Sequence, residues 1–298
     1  MSLFWCSNIC FSLCLAKVTS KPSTVNWLDL PSDVMANILS RIGVFDILEN
    51  AQKVCTTWHQ ICKEPSMWRA VSMDNSRPPR RKSVCRKIFK QVVDRSQGQM
   101  VDVSMKAFCD QDLLLYIVDR SKQHRRLEII YSLGELNEVW GECLKKLSSL
   151  EELSLCRTHF SPANIEAAGR FCPLLKTLKV NYYYVGDDDE LAAAIGKNLP
   201  ELRHLELIGD GITDVGLEAI LDGCRHLESL DLRRCIWIDF EGDLGKRCSE
   251  QIKHLKLPGD SLEHYQHLEV PVEVISEAED YGGCQCCRCM ESDSDSDY

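Results

Sequence analysis

The amino-acid sequence predicts an α/β solenoid, in which short parallel strands alternate with helices, preceded by a small three-helix module. Three observations carry that expectation. An apolar pattern of the form L-x-x-L-x-L recurs along most of the chain at nearly constant spacing. The segments between copies begin with helix-start residues and continue with apolar residues at helical spacing. Ahead of the copies, residues 26–73 hold three helical patterns of their own.

Taken in order, residues 17–26 are polar, contain Pro22 and read as a linker. Leu30-Pro31-Ser32-Asp33 is a helix-start signal, with Ser32 the expected cap and Asp33 suited to the first turn. Met35, Leu39 and Ile42 follow at spacings of four and three, and Val34 with Ile38 at four, giving one wide apolar face. Gly43 is the expected end. Asp46 with Glu49 resembles a capping box and opens a second helix. Val54, Trp58 and Ile61 mark a third, which Glu64-Pro65 ends before Trp68. A unit of this size cannot bury all of these faces alone. It either caps the next domain or docks on another protein through its leftover apolar surface.

Leu30-Pro31, the run Ile38-Leu39-Ser40-Arg41-Ile42, Val54-Cys55 with Trp58, and Trp68-Arg69 together resemble the F-box. The likeness spans the whole motif in order and spacing; Asp33 stands where Glu is common in that family and keeps the charge. The resemblance implies binding to a Skp-type adaptor, which tethers the chain to a cullin–RING ubiquitin ligase. It also implies that Leu30, Pro31, Ile38, Leu39 and Ile42 face the adaptor, while Val54 and Trp58 support the helices.

The repeating pattern occurs at Leu150-Leu153-Leu155, Leu175-Leu178-Val180, Leu202-Leu205-Leu207, Leu227-Leu230-Leu232 and Ile252-Leu255-Leu257, with weaker copies at His124-Leu127-Ile129 and at Val101 with Val103. Marking each copy by its second apolar position, and the weakest by Val101, gives intervals of 26, 26, 25, 27, 25 and 25 residues. That motif at that period is the signature of leucine-rich repeats. Val71 and Met73 are expected to form an irregular first strand that fuses the helical module to the array. Ser161-Pro162 supplies a cap and a proline at the first helical position. Thr213 precedes Val215, Leu217, Ile220 and Leu221, and Asp189 precedes Leu191, Ala194, Ile195 and Leu199, so each repeat is one strand plus one helix. Cys172 and Cys224 lie three residues before Leu175 and Leu227, and Cys248 four before Ile252, which resembles the cysteine-containing class of these repeats. They lie a repeat apart, not at the close C-x-x-C spacing of zinc sites, and read as core residues.

Strand side chains alternate between faces, so the residues between the leucines point to the concave side, where solenoids usually bind partners. Glu152, Ser154, Thr177, Lys179, Asn181, His204, Glu206, Asp231 and Arg233 are therefore the candidate substrate contacts. Their mixed charge suits a protein more than a phosphate polymer. Tyr182-Tyr183-Tyr184 after one strand is either packing or a binding hot spot. Gly209-Asp210-Gly211 lacks the third glycine of a dinucleotide loop, carries carboxylates that would repel a pyrophosphate, and reads as a repeat turn. His264 and His267 have no clear third metal ligand. Cys284, Cys286, Cys287 and Cys289 are too crowded for a relaxed tetrahedral site and fall in an acidic tail, in which Ser292, Ser294 and Ser296 alternate with acid and are possible phosphate acceptors. No catalytic constellation stands apart from the repeat framework.

Composition agrees. The chain has 298 residues, enough for one or two domains, with 44% hydrophobic and 27% charged residues, which excludes wholesale disorder. Of the net charge of −10, residues 268–298 carry −8 from nine acids and one Arg, so the body is nearly neutral and offers no chain-wide polyanion surface. The 17 cysteines are odd in number and scattered, as in a reducing compartment. Residues 1–16 are apolar but lack the basic start of a secretory signal and the length of a membrane span.

The expected organisation is an extension at 1–25, an F-box at 26–73, a connecting segment at 74–97, leucine-rich repeats at 98–262 and a disordered acidic tail at 263–298. From about Asn26 to Pro258 the chain resembles the plant F-box/leucine-rich-repeat proteins of the Skp-interacting-partner type, a subgroup suggested by Asn26-Trp27-Leu28-Asp29-Leu30-Pro31 and Val93-Asp94-Arg95-Ser96-Gln97-Gly98. The implied role is a non-catalytic substrate receptor of a cullin–RING ligase in the cytoplasm or nucleus. Its partners would be the adaptor, through it a cullin, and a protein substrate. No cofactor, metal, nucleic acid or membrane is expected. The alternative is a repeat scaffold outside any ligase.

Overall fold

One column of apolar side chains runs the length of the molecule. Val71, Val103, Leu127, Leu153, Leu178, Leu205, Leu230 and Leu255 stand in register across eight parallel strands that follow one another in sequence order. The computed structural model describes residues 30–76, 79–132, 136–181, 189–263 and 265. The strands are β1 Ala70–Asp74, β2 Asp102–Lys106, β3 Arg126–Ile130, β4 Glu152–Cys156, β5 Thr177–Asn181, β6 His204–Glu206, β7 Ser229–Asp231 and β8 His254–Lys256. The F-box supplies helices α1 Ser32–Leu39, α2 Val44–Glu49 and α3 Thr56–Ile61. The crossovers supply α4 Lys82–Arg95, α5 Gln111–Arg120, α6 Asn137–Lys146, α7 Pro162–Phe171, α8 Glu190–Asn198, α9 Asp214–Gly223 and α10 Asp243–Gln251. This is the expected α/β solenoid with an N-terminal helical module.

Each strand is too short to form a core by itself. The second residue of each strand, and the fourth in β1 to β5, points at the helix layer, and stacking makes one continuous interior from Met35 to Ile252. Burying each such leucine stabilises by roughly 1.5–3 kcal/mol. Val71 and Met73 are buried in β1, so the F-box and the repeats share a sheet and a core.

A second regularity lies where the strands end. Ala107, Tyr131, Arg157, Gly209 and Arg234 all have positive φ, between 50° and 70°. A left-handed conformation costs a non-glycine residue on the order of 1–2 kcal/mol. The cost is offset by the bond it makes possible: each of these N–H groups donates to a carbonyl of the next repeat at 2.8–2.9 Å, as from Arg157 to Asn181 and from Gly209 to Arg233. Gly209 is thus a repeat turn, as its sequence context suggested.

On the outer layer, α8 and α9 approach backbone to backbone. A Cβ placed on Gly196 would lie 2.1 Å from the Ala219 carbonyl oxygen, and one on Gly223 would lie 1.8 Å from that of Gly196. Gly169 occupies the equivalent position one repeat earlier, against Asn198.

Several details differ from the sequence reading. The register pairs Leu127 with Val103, not Val101, whose N–H instead donates to the Arg69 carbonyl at 2.7 Å. The boundary expected at 73–74 falls inside β1, and 74–97 carries the crossover helix α4 of the first repeat. Ser32 is the first residue of α1 after Pro31, Gly43 rather than Asp46 precedes α2, and neither helix has a side-chain cap bond. Cys55 caps α3 through its sulfur, which accepts from the Trp58 N–H at 3.5 Å. Val54 is 58% exposed and supports nothing beneath it. Thr213 does cap α9, accepting from Val215 N–H, and Ser161-Pro162 starts α7 as expected, with Pro162 in the first turn and no cap bond from Ser161. Among the described residues the cysteines are free and, Cys55 excepted, buried. Burial pushes the thiols of Cys172 and Cys224 up to about 12, so they are inert packing groups. The extension 1–25, Tyr182–Tyr184, His264, His267 and the tail cysteines and serines lie outside the described residues.

Leu205→Ala or Leu230→Ala is expected to lower unfolding free energy by ~2–5 kcal/mol, whereas His204→Ala, one residue away on the opposite face, should change it by no more than ~0.5 kcal/mol. Equal urea midpoints for Leu205→Ala and His204→Ala would contradict the register. Gly196→Ala should be destabilising although it replaces a helical glycine by the best helix former, because the added methyl meets backbone that cannot yield.

Candidate functional site

Two surfaces answer to the candidate residues. The first is on the F-box. In α1, Met35 and Leu39 turn inward and are 2% and 0% exposed. Leu39 is therefore a core residue, and the expectation that it faces an adaptor is corrected: the pair that packs against the module is Met35 with Leu39. Val34 with Ile38 lies on the other flank, Val34 40% exposed and Ile38 half-buried. Pro31 is exposed, and Leu30 and Ile42 are half-buried at the two ends of the helix against the core. Pro31, Val34 and Ile38 are three and four residues apart, hence one stripe along α1. Val54 is exposed in the neighbouring turn. Beneath this surface the module is held to the repeats by Trp68, whose indole N–H donates to the Cys62 carbonyl at 3.1 Å, and by Arg95 of α4, which donates to the same carbonyl and lies over the Trp68 ring.

The second surface is the concave face. Its long charged side chains pair across strands. Arg126 lies between Asp102, Glu128 and Glu152 at 3.2, 3.2 and 3.4 Å, and Glu152 also accepts from Lys179 at 2.9 Å. Burial opposes the charge on Glu152, yet Lys179 and Arg126 hold its carboxyl below the ordinary range. Ser154 lies between Glu128 and Lys179 in the register and is only 5% exposed.

Further along, Asp231 accepts from Arg233 through both carboxylate oxygens at 2.9 and 2.7 Å, and from Lys256 at 3.0 Å. Burial again pushes against the charge, and these cations again leave the carboxyl below its usual range. Arg233 also donates to the Ser261 carbonyl at 2.9 Å and lies over the Tyr265 ring. Tyr265 donates its hydroxyl to Glu206 at 2.6 Å and receives the Asn181 amide. Burial and the Glu206 carboxylate beside it raise the Tyr265 phenol and keep it protonated.

The chain that follows β8 thus returns onto the concave face, and Asn181 and Arg233 hold it there. Both are buried, as is Asp231. These three residues and Ser154, expected as substrate contacts, are structural in this arrangement: period-2 alternation gave their direction correctly but not their burial. What remains open is a shallow basin of about 340 Å3 lined by Glu152, Thr177, Lys179, His204, Glu206, Ser229, Asp231 and Lys256. Six of these were named from the sequence. The same alternation in the sequence places Ser229 and Lys256 on this face, although they were not among the named substrate contacts, and Tyr265 had no signal because it lies beyond the last repeat. Within the basin Glu152 pairs with Lys179 and Asp231 with Lys256.

Among the described residues no group of His, Cys, Asp and Glu has the arrangement of a metal site, and no helix is long and apolar enough to cross a membrane.

Comparison with known proteins places these surfaces in context. A family profile described as F-box-like matches residues 27–74, and a second, described as FBD-associated F-box protein At5g56370, LRR repeats, matches residues 139–263. Putative F-box/LRR-repeat protein 23 of Arabidopsis thaliana is 43% identical over 247 residues, covering 79% of this chain but 54% of that protein, so the chain spans about half its length. F-box protein SKIP19 of Arabidopsis thaliana is 43% identical over 244 residues, covering 80% of this chain and 79% of that one. F-box protein SKIP1 of the same plant is 27% identical, covering 71% and 79%.

Tyr265→Phe removes a hydroxyl that bonds both Glu206 and Asn181, which keep their direct contact with each other, so the expected cost is the net worth of a hydrogen bond, ~0.5–1.5 kcal/mol. Faster amide exchange at residues 261–263 with β2–β4 unchanged is the expected signature. Glu152 and Asp231 have lowered carboxyl values, so on acidification the unfolded chain takes up protons first. Their contribution is complete above the ordinary carboxylate range, ~4, and is lost as pH falls through the lowered values. Stability measured from pH 6 to 2 should fall, and less steeply in Asp231→Asn.

Proposed function

Because this chain belongs to the F-box/leucine-rich-repeat family, we propose that it is a substrate-receptor subunit of a Skp–cullin–F-box ubiquitin ligase, with α1–α3 binding the Skp-type adaptor and the repeats recruiting a protein substrate. The observation that carries the reading is the uncovered apolar stripe of α1. Pro31, Val34 and Ile38 lie on its outer flank, while Met35 and Leu39 are the residues that α1 contributes to the module's interior. A small helical unit already packed against its own repeats has no folding reason to keep that stripe apolar. A partner that buries it does. The SKIP names of two relatives support the same reading.

In this role the chain supplies no nucleophile. It contributes effective concentration, holding a substrate lysine near a ubiquitin-loaded enzyme brought by the cullin. Leu30, Pro31, Ile38 and Ile42, with Val34 added, are the proposed adaptor contacts. Glu152, Thr177, Lys179, His204 and Glu206 are the proposed substrate contacts in the basin. Buried, reduced thiols accord with work in the cytoplasm or nucleus.

Co-purification with a Skp-type adaptor tests the reading directly. Ile38→Asp should lower adaptor affinity at least thirtyfold, equivalent to ~2 kcal/mol, with the melting temperature nearly unchanged. Leu39→Ala should instead lower the melting temperature. A wild-type chain that binds no adaptor would leave a repeat scaffold outside the ligase, and undiminished binding by Ile38→Asp would remove the α1 stripe from the interface.

A further inference from the structure

The loop that leaves β7 presents two large apolar side chains that no part of the described chain covers. Ile236 is 76% and Trp237 51% exposed. Their neighbours explain why they stay out. Cys235 is fully buried and donates its thiol to the Leu207 carbonyl at 2.8 Å, and Ile238 and Phe240 pack against the core. The loop is therefore pinned on both sides of the pair, and its tip is held outward by a fixed support. Val215 at the start of α9, 69% exposed, and Leu257 after β8, 39% exposed, belong to the adjoining loops. Hydrogen bonds tie these loops together: Asp239 N–H donates to the Asp214 carboxylate at 2.8 Å, and Arg234 N–H to the Pro258 carbonyl at 2.9 Å. Half of the large hydrophobics exposed among the described residues thus lie at the ends of the last three strands.

The surround is acidic. Asp210, Asp214, Asp239, Glu241, Asp243 and Asp260 belong to these loops and helix starts, with Arg234 and Arg233 as the basic residues, the latter buried and paired with Asp231. An apolar tip on loops whose charged residues are mostly acidic selects its occupant. The chain's own tail, net −8 over residues 268–298, is repelled. A second copy docking two-fold would set one acidic surround against another, since such an interface repeats the same patch on both sides.

We propose that the tip formed by Ile236 and Trp237 is a docking surface for a protein segment that carries an aromatic or aliphatic anchor flanked by Lys or Arg. Tryptophan is among the side chains most enriched at binding hot spots, and its acidic surround steers a basic ligand and screens out acidic ones. The site lies six strands from β1, about 29 Å along the sheet at ~4.8 Å per strand, so a Skp-type adaptor on the F-box leaves it free. That the docked segment belongs to a ligase substrate rests on the receptor reading above; the docking chemistry does not.

The test uses the full chain bound to a Skp-type adaptor, against displayed random peptides, followed by titration of a synthetic peptide of the enriched sequence. Enrichment of an apolar anchor beside Lys or Arg is expected, with affinity lowered at least tenfold by Trp237→Ser and by Ile236→Ser. Binding should weaken with added salt, and less so in Asp239→Asn with Glu241→Gln. Adaptor binding and melting temperature should be unchanged in all of these variants. Failure to enrich any peptide, enrichment of acidic peptides, equal binding by the Trp237→Ser chain, or a dimer in sedimentation that Trp237→Ser dissolves would each overturn the proposal. Peptide binding by a chain that binds no adaptor would uphold the docking surface and sink the receptor reading instead.

Discussion

The stacking of one apolar residue per strand, from Val71 to Leu255, is the constraint on which everything else rests. A strand of three to five residues has no face large enough to bury alone, so each repeat is stable only between neighbours. In-register parallel pairing then fixes what lies on the other side. Because Leu127, Leu153 and Leu178 align, so do the flanking Arg126, Glu152 and Thr177, and Glu128, Ser154 and Lys179. The ion pairs of Arg126 and Lys179 with Glu152 are consequences of that alignment. Exposed pairs of this kind contribute little to stability. Their effect is to hold long side chains in one arrangement, which gives the concave basin a defined floor.

The period of about 25 residues made the repeat architecture legible, because the leucines recur without interruption from Leu150 to Leu257. Register at the first repeats was not legible. Val101 and Val103 sit two residues apart and point to the same face, so alternation cannot choose between them. The choice is made by a distant group, the Arg69 carbonyl that ties down Val101 N–H. The same limit explains α1. Val34 with Ile38 and Met35 with Leu39 are both spaced four apart, and only the position of the remaining module decides that Leu39 is core and Ile38 is not. Helix starts fared unevenly for a physical reason: Thr213 has room to cap, whereas Asp189 spends its carboxylate on Thr213 N–H of the next repeat at 2.8 Å. The glycine contacts among α7, α8 and α9 were present in the sequence as Gly169, Gly196 and Gly223, spaced 27 apart, and their meaning appears only when successive helices touch.

Burial on the concave face was the least legible property, since it depends on what covers a residue. Ser154 is short and lies between Glu128 and Lys179. Asn181 and Arg233 are long enough to reach solvent, but both are committed to the returning chain at Ser261 and Tyr265. Among the described residues no strand follows β8, and the returning chain crosses the concave face, where it meets Arg233, Glu206 and Asn181. A solenoid must end somewhere, and terminal units of such arrays need a cap that tolerates water. With the returning chain lying across the concave face, the open basin falls on β4 to β8.

The fold therefore separates three surfaces by position along one rigid axis. The α1 stripe belongs to the helical module at the β1 end, the mixed-charge basin spans β4 to β8, and the Trp237 loop follows β7. One shared core runs from the F-box through β1 into the array and joins the first surface to the others. Whatever binds the α1 stripe is thus held at a set distance and orientation from whatever binds the basin or the loop. In the proposed receptor role, that geometry is the means by which binding at one end would direct a reaction at the other: an orientation already built into the fold need not be established anew at each encounter.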